Sequence, residues 1–345
     1  MIKTAIASLL LLAMSVSAKE GDACPEFPGS VVFRKSDPQL TLSDCRDRAV
    51  VVVFFQSWCP ICNQWAPTAL KQLQESEMAK NPGVLFVAVK SDGGTLEQAE
   101  AFLKDKGVDL NRWIIGVDPD SVMEKAVMGN SKLWQYALIN KAGKIAKLYG
   151  VGSRFSSGPK NGKYVIAIPE PALECEALKL SRQYTGDMGA AVKFLAVRKY
   201  SVAWSLAQKS ANKDQAIAFK ADIDKILSIE VNELMGIVGK SDLSAGDAWN
   251  AIARCKAIEI SVAGLAELKK LVAKLEMRPD VVKERLADQG LKQAASAYAK
   301  ANSAKNKNED KVRADYGAQL KRVQQNYPGT QASIKAKELL GQAGL

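Results

Sequence analysis

Apolar positions along this chain change their period near residue 170. Before that point, short continuous apolar runs alternate with amphipathic segments. Val50-Val51-Val52-Val53-Phe54-Phe55 is β-branched and aromatic throughout, which predicts a strand buried on both faces. Val84 to Val89 is a second such run, introduced by the turn Asn81-Pro82-Gly83, and Trp113-Ile114-Ile115 is a shorter third. Between them the pattern predicts helices over about Pro60 to Met78, Thr95 to Lys106 and Asp120 to Val127. Thr95 suits an N-cap and Gly107 a stop. Tyr136 to Ile139 and Lys144 to Tyr149 flank Asn140-Lys141-Ala142-Gly143 and read as a hairpin. Strands that alternate with helices and close on a hairpin imply a mixed α/β sandwich.

Residues 150–163 break the pattern. Gly152-Ser153-Arg154-Phe155-Ser156-Ser157-Gly158-Pro159 reads as a linker or exposed loop, with one more strand expected over Tyr164 to Ile168. From Pro171 the apolar residues recur at helical spacing. Ala203-Trp204, Ala248-Trp249 and Ala297-Tyr298 each read as opening an Ala-rich helix, at spacings of 45 and 49 residues. Second amphipathic helices are expected over Ala216 to Leu234, Leu265 to Glu276 and Val312 to Gln325. Tyr327-Pro328-Gly329-Thr330 followed by Ala332 to Leu340 resembles the closing turn and helix of tetratricopeptide-like arrays. Helix pairs at this period point to an all-α, helical-repeat-like domain, either a short solenoid or an irregular bundle. Trp204, Trp249 and Tyr298 are expected in its core.

At the N-terminus, Lys3 precedes a short apolar run from Ala5 to Met14, and Val16-Ser17-Ala18 suits cleavage after Ala18. The expected organisation is a signal peptide over 1–18, an α/β domain over 19–165 and a helical domain over 166–345. The mature chain is then periplasmic or secreted. No later run is long enough for a transmembrane helix. Residues 19–150 hold 16 basic and 16 acidic side chains, so the formal charge of +11 falls, Lys3 apart, on residues 151–345. Solvated Lys-rich helix faces account for that balance. No basic block carries interleaved aromatics, and no nucleic-acid partner is expected. The chain has no histidine, which excludes His-based nucleophilic triads, His-ligated zinc or copper and His-ligated haem.

Chemistry must then come from Cys, carboxylates, Lys, Tyr or Ser, and the one strong signal lies among the six cysteines. Trp58-Cys59-Pro60-Ile61-Cys62 follows a predicted strand and opens a predicted helix. A cysteine at a helix start faces unpaired N–H groups and the positive end of the helix dipole, both of which favour the ionised, nucleophilic sulfur. Cys59 is the expected nucleophile. Cys62, one turn later on the same face, is placed to resolve a mixed disulfide. The pair needs no cofactor, and no metal is expected.

The surrounding residues resemble the thioredoxin family: Trp58 before the motif, Ala66-Pro67 where that family has the kinking proline of its active-site helix, Gly21-Asp22-Ala23-Cys24-Pro25-Glu26-Phe27 at the opening, Leu42-Ser43-Asp44 before the central strand, and Leu138 to Ile145 as the hairpin. The resemblance spans residues 21–150. It implies a thioredoxin-like fold and thiol–disulfide exchange on protein thiols or disulfides, with a protein redox partner. Trp58, Pro60, Ile61 and Trp134 would shape the site. Three positions depart from the family: Trp134 takes the place of its cis-proline, Val53 that of a buried acid, and Pro60-Ile61 stand where oxidising members often have a histidine. A peroxidase would need Thr or Ser at position 56, which is Gln56. The alternative to an exchanger is a scaffold that uses the redox fold weakly and recognises a protein partner through its helical domain. Direction of exchange stays open.

Cys24 and Cys45 flank the first strand and are candidates for a structural disulfide. A relay of electrons to Cys59 and Cys62, and a four-Cys metal site, are the alternatives, the wide 24-to-45 spacing opposing the latter. Cys175 and Cys255 are candidates for a staple within the helical region, with two buried thiols as the alternative.

Overall fold

A computed structural model describes residues 19–25, 27, 30–45, 47–75, 81–129, 135–149, 178–302 and 308–343. The signal peptide, the strand expected over 164–168, the boundary expected at 165 and Cys175 lie outside the described residues. Contacts divide the chain into a unit ending at Ile226 and a unit beginning at Leu227, and the division falls within one long helix.

The first unit holds a six-stranded sheet. Its elements run β1 (Val32–Phe33), β2 (Ala49–Phe55), α1 (Pro60–Glu75), β3 (Val84–Lys90), α2 (Leu96–Asp105), β4 (Trp113–Val117), α3 (Val122–Met128), β5 (Gln135–Ile139) and β6 (Ile145–Tyr149). Strand order is β1-β4-β3-β2-β5-β6. β2, β3 and β4 are parallel, while β1, β5 and β6 run antiparallel to their neighbours. The continuous apolar runs are β2 and β3, and every residue in both is buried. That is the pattern of central parallel strands covered on both faces.

Side chains alternate across the sheet and split the core in two. Val51, Val53 and Phe55 face one cluster with Leu70, Leu73, Leu103 and Trp113. Val50, Val52 and Phe54 face another with Ile114, Met123, Val127 and Ile139. Thr95 caps α2 as its position suggests. Its hydroxyl accepts the Gln98 N–H while the Gln98 side chain accepts the Thr95 N–H, a reciprocal capping box. Gly107 follows the helix at φ +72°, the left-handed turn that glycine tolerates.

Residues beyond the hairpin complete the second face. α4 (Met188–Ala196), α5 (Tyr200–Gln208) and the start of α6 (Lys213–Val238) belong to this unit. Leu178, Ala196 and Val197 join the cluster of Val50 and Ile114. Arg48 Nε donates to the Ala196 carbonyl at 2.9 Å. Lys193, almost wholly buried, bonds the Asp37 carboxylate and donates to the Trp113 carbonyl at 3.0 Å. Burial pushes the Lys193 ammonium below its ordinary pKa, and Asp37 opposes that shift.

The second unit comprises the rest of α6 with α7 (Ala245–Ala257), α8 (Leu265–Glu276), α9 (Pro279–Asn302), α10 (Glu309–Asn326) and α11 (Gln331–Ala343). Ala287, Ala294, Leu320, Val323, Ala336 and Leu340 form a small core among its last three helices. α8 has the predicted bounds. Ala297-Tyr298 corrects the expected repeat: it lies near the end of the 24-residue α9, not at a helix start. Most residues between Pro279 and Asn302 are good helix formers, and the single glycine among them, Gly290, does not stop a helix. Trp204, Trp249 and Tyr298 are half-buried instead of central, while their neighbours Ala203 and Ala248 are fully buried. Tyr298 stacks on Tyr316 with ring centroids 4.5 Å apart. No helix among the described residues is long and apolar enough to cross a membrane.

Candidate thiol site

β2 ends at Phe55 and α1 begins at Pro60, so the five-residue motif turns the chain from the sheet centre into a helix. Pro60 takes the first helical position, where its fixed φ suits the helix and its missing N–H costs nothing. Cys59 precedes it. The Asn63 N–H donates to the Cys59 carbonyl at 3.0 Å, the first bond of the helix. The Cys62 N–H donates to Cys59 Sγ at 3.1 Å. One turn of helix thus brings the two cysteines together and aims a backbone donor at the first sulfur. Such a donor stabilises negative charge on sulfur as it attacks or leaves.

Both cysteines are 0% exposed and face the cluster of Val53, Phe55 and Leu70. Trp58 is the opposite, 65% exposed beside them, and Pro60 is exposed too. Val53 is fully buried at that place in β2 and carries no carboxyl group that could take a proton. α1 continues through Pro67 to Glu75. The Ile61 side chain and Trp134 lie outside the described residues.

Three residues that the motif did not signal hold the loop. Asp92 Oδ2 accepts the Ser57 N–H at 3.1 Å and the Ser57 hydroxyl at 3.3 Å. Lys90 Nζ lies 2.6 Å from Asp92 Oδ1 and also donates to the Gly93 carbonyl. The Lys90 and Asp92 side chains are 3% and 8% exposed. Asn63 Nδ2 donates to the carbonyls of Ser57 and Cys59, each at 3.0 Å. A lysine closing an otherwise apolar strand was the available sign, since buried lysines need partners. Nearby, Gln56 Oε1 and Ser91 Oγ are buried without a hydrogen-bond partner among the described residues.

Cys24 and Cys45 are buried together in the cluster of Val50, Val52 and Phe54. The sheet stands between them and Cys59 with Cys62. Among the described residues, no three Cys, Asp or Glu side chains gather as a metal site would require. Cys255 is buried in α7, where burial pushes its thiol above the ordinary pKa; Cys175 lies outside the described residues.

Residues 19–158 match the family model described as Redoxin. Comparison with curated proteins gives no match. Among solved structures, the chain is similar to a putative protein disulfide isomerase from Bacteroides thetaiotaomicron, at 26% identity over 38% of this chain and 79% of that one, with TM-score 0.33. It is similar to a putative thiol:disulfide interchange protein from Chlorobium tepidum, at 27% identity over 39% and 86%, with TM-score 0.32. A hypothetical protein from Sinorhizobium meliloti matches at 21% identity over 43% and 78%, with TM-score 0.34. The Redoxin match and the mixed six-stranded sheet together give the chain a thioredoxin-like domain within residues 19–158, and the helices from α4 onward lie outside the family match.

Proposed function

We propose that this protein is an exported thiol–disulfide oxidoreductase that acts on protein thiols or disulfides. In the reducing direction, the Cys59 thiolate attacks one sulfur of a substrate disulfide. The Cys59–substrate bond forms, the substrate S–S bond breaks, and the first substrate thiolate leaves and takes a proton from water. Cys62 then loses its proton, attacks Cys59 Sγ and expels the second substrate thiolate. The substrate has gained two electrons and the protein holds a Cys59–Cys62 disulfide. Oxidation of a substrate dithiol is the reverse.

The observation that carries this reading is the Cys62 N–H aimed at Cys59 Sγ at 3.1 Å, at the start of a helix on a redoxin fold. The exposed Trp58 offers an apolar surface for a substrate chain beside the pair. Export is supported by Lys3, the apolar run to Met14 and Ala18.

Reduction of insulin by the full chain with dithiothreitol tests it. The wild type catalyses, whereas Cys59→Ser is inactive. Cys62→Ser retains the mixed disulfide and releases little product. A specific observation favours a second reading, a weakly redox-active scaffold: Cys59 is wholly buried in this state. Equal insulin reduction by wild type and Cys59→Ser would favour the scaffold.

A further inference from the structure

A cavity of about 410 Å³ opens in the first unit at the amino ends of β3 and β4. The thiol pair lies beyond the carboxyl end of β2, which runs parallel to β3. Cavity and thiols are therefore at opposite poles of the sheet. One wall is Leu85 and Ile114 of the sheet, and the other is Leu178, Val192 and Ala196. That second wall comes after residue 158, where the redoxin match ends. The added segment, not the redoxin fold itself, makes the cavity. At its rim α4 approaches the chain before β4 so closely that a Cβ on Gly189 would sit 2.8 Å from the Asn111 carbonyl oxygen.

The volume and mostly apolar walls are those of a small-molecule site. Its charged lining has one sign: Arg112, Arg182 and Lys193 contribute, and no Asp or Glu does. Two of these cations are already engaged. Lys193 is held by Asp37, and Arg112 Nη1 donates to the Gln74 carbonyl at 2.8 Å. Arg182 is exposed and makes no ion pair among the described residues. We propose that this cavity binds a single-chain fatty carboxylate, with the acyl chain against Leu85, Ile114, Leu178 and Val192 and the carboxylate at Arg182. A neutral hydrocarbon would leave the cationic rim unused. A cation would meet the like charge of Arg182 with no lining carboxylate to offset it. The site is independent of the thiol reading, since it shares no residue with it.

Sodium decanoate titrated calorimetrically into the full chain, at constant ionic strength, tests the proposal. Saturable binding of one decanoate per chain is expected. Arg182→Glu should weaken it about tenfold or more. Val192→Trp, at a half-buried position, should abolish it by filling the cavity while the thermal midpoint of the free protein stays within a few degrees. Decyltrimethylammonium should not bind, and Cys59→Ser should bind as the wild type does. Absence of saturable binding, equal affinity in Val192→Trp, or no effect of Arg182→Glu would overturn it. So would cosedimentation with phosphatidylglycerol vesicles that decanoate does not compete away, which would place the recognised anion on a lipid surface.

Discussion

Lys90 and Asp92 form a buried ion pair, 2.6 Å apart, whose free carboxylate oxygen holds Ser57 two residues before Cys59. The pair ties the end of β3 to the loop that follows β2. Removing one partner of such a pair strands the other charge in the protein, at a cost of about 3 kcal/mol or more. Asp92→Ala should therefore lower the unfolding free energy by about that amount and release Ser57. Alkylation of Cys59 at fixed pH should become faster as the loop loosens. Unchanged stability and an unchanged alkylation rate would contradict this role.

Lys193 makes the analogous link between α4 and the sheet, with Asp37 as its partner. Arg34 also grips Asp37 with two bonds of 3.0 Å, so that carboxylate keeps a cation when Lys193 is lost. Lys193→Met should cost about 2 kcal/mol, less than the full loss of a buried pair. A double-mutant cycle with Asp37→Asn, read by urea unfolding, should give a coupling above about 1 kcal/mol.

Asp118 gives a pH dependence of defined sign. It is fully buried and accepts the N–H groups of Val122, Met123 and Glu124 at 3.0, 2.8 and 3.2 Å. Burial is the largest influence and raises its pKa above the ordinary value, against those bonds. A raised carboxyl favours folding below the unfolded pKa of about 4, and that contribution is lost as pH rises through the folded value. The stability difference between wild type and Asp118→Asn should thus shift against the wild type as pH rises above about 4. Chemical unfolding at a series of pH values checks the slope, and a shift of opposite sign would refute it.

The Thr95 capping box is a local feature with a local cost. Thr95→Ala removes the acceptor for the Gln98 N–H and should destabilise the first unit by about 1 kcal/mol. Thr95→Ser keeps the oxygen and should cost little.

Local features were the legible ones. β2 and β3 show as unbroken apolar runs because both of their faces are covered, and the cap Thr95 and stop Gly107 mark α2 within a residue. The Cys59 and Cys62 pair at a helix start was equally plain. What surrounds the pair was not, because Ser57 and Asp92 are 35 residues apart and meet only where two parallel strands end side by side. The contribution of Lys193 to the sheet was hidden for the same reason, 156 residues from Asp37. Tyr298 was misplaced because Ala-rich helices carry few internal marks, and a chance recurrence of Ala with an aromatic looks like a repeat. Burial of Cys59 depends on tertiary packing that no motif records.

In the proposed function, Cys59 and Cys62 exchange electrons as a pair while the fold stays intact. A redox equilibrium titration in glutathione buffers, with thiols alkylated and located by peptide mass, reads that pair apart from the other four cysteines. Reversible titration of Cys59 and Cys62 together is expected, at a potential between about −120 and −270 mV and with unchanged circular dichroism. A pair that stays locked, or that titrates only as the fold is lost, would contradict the account.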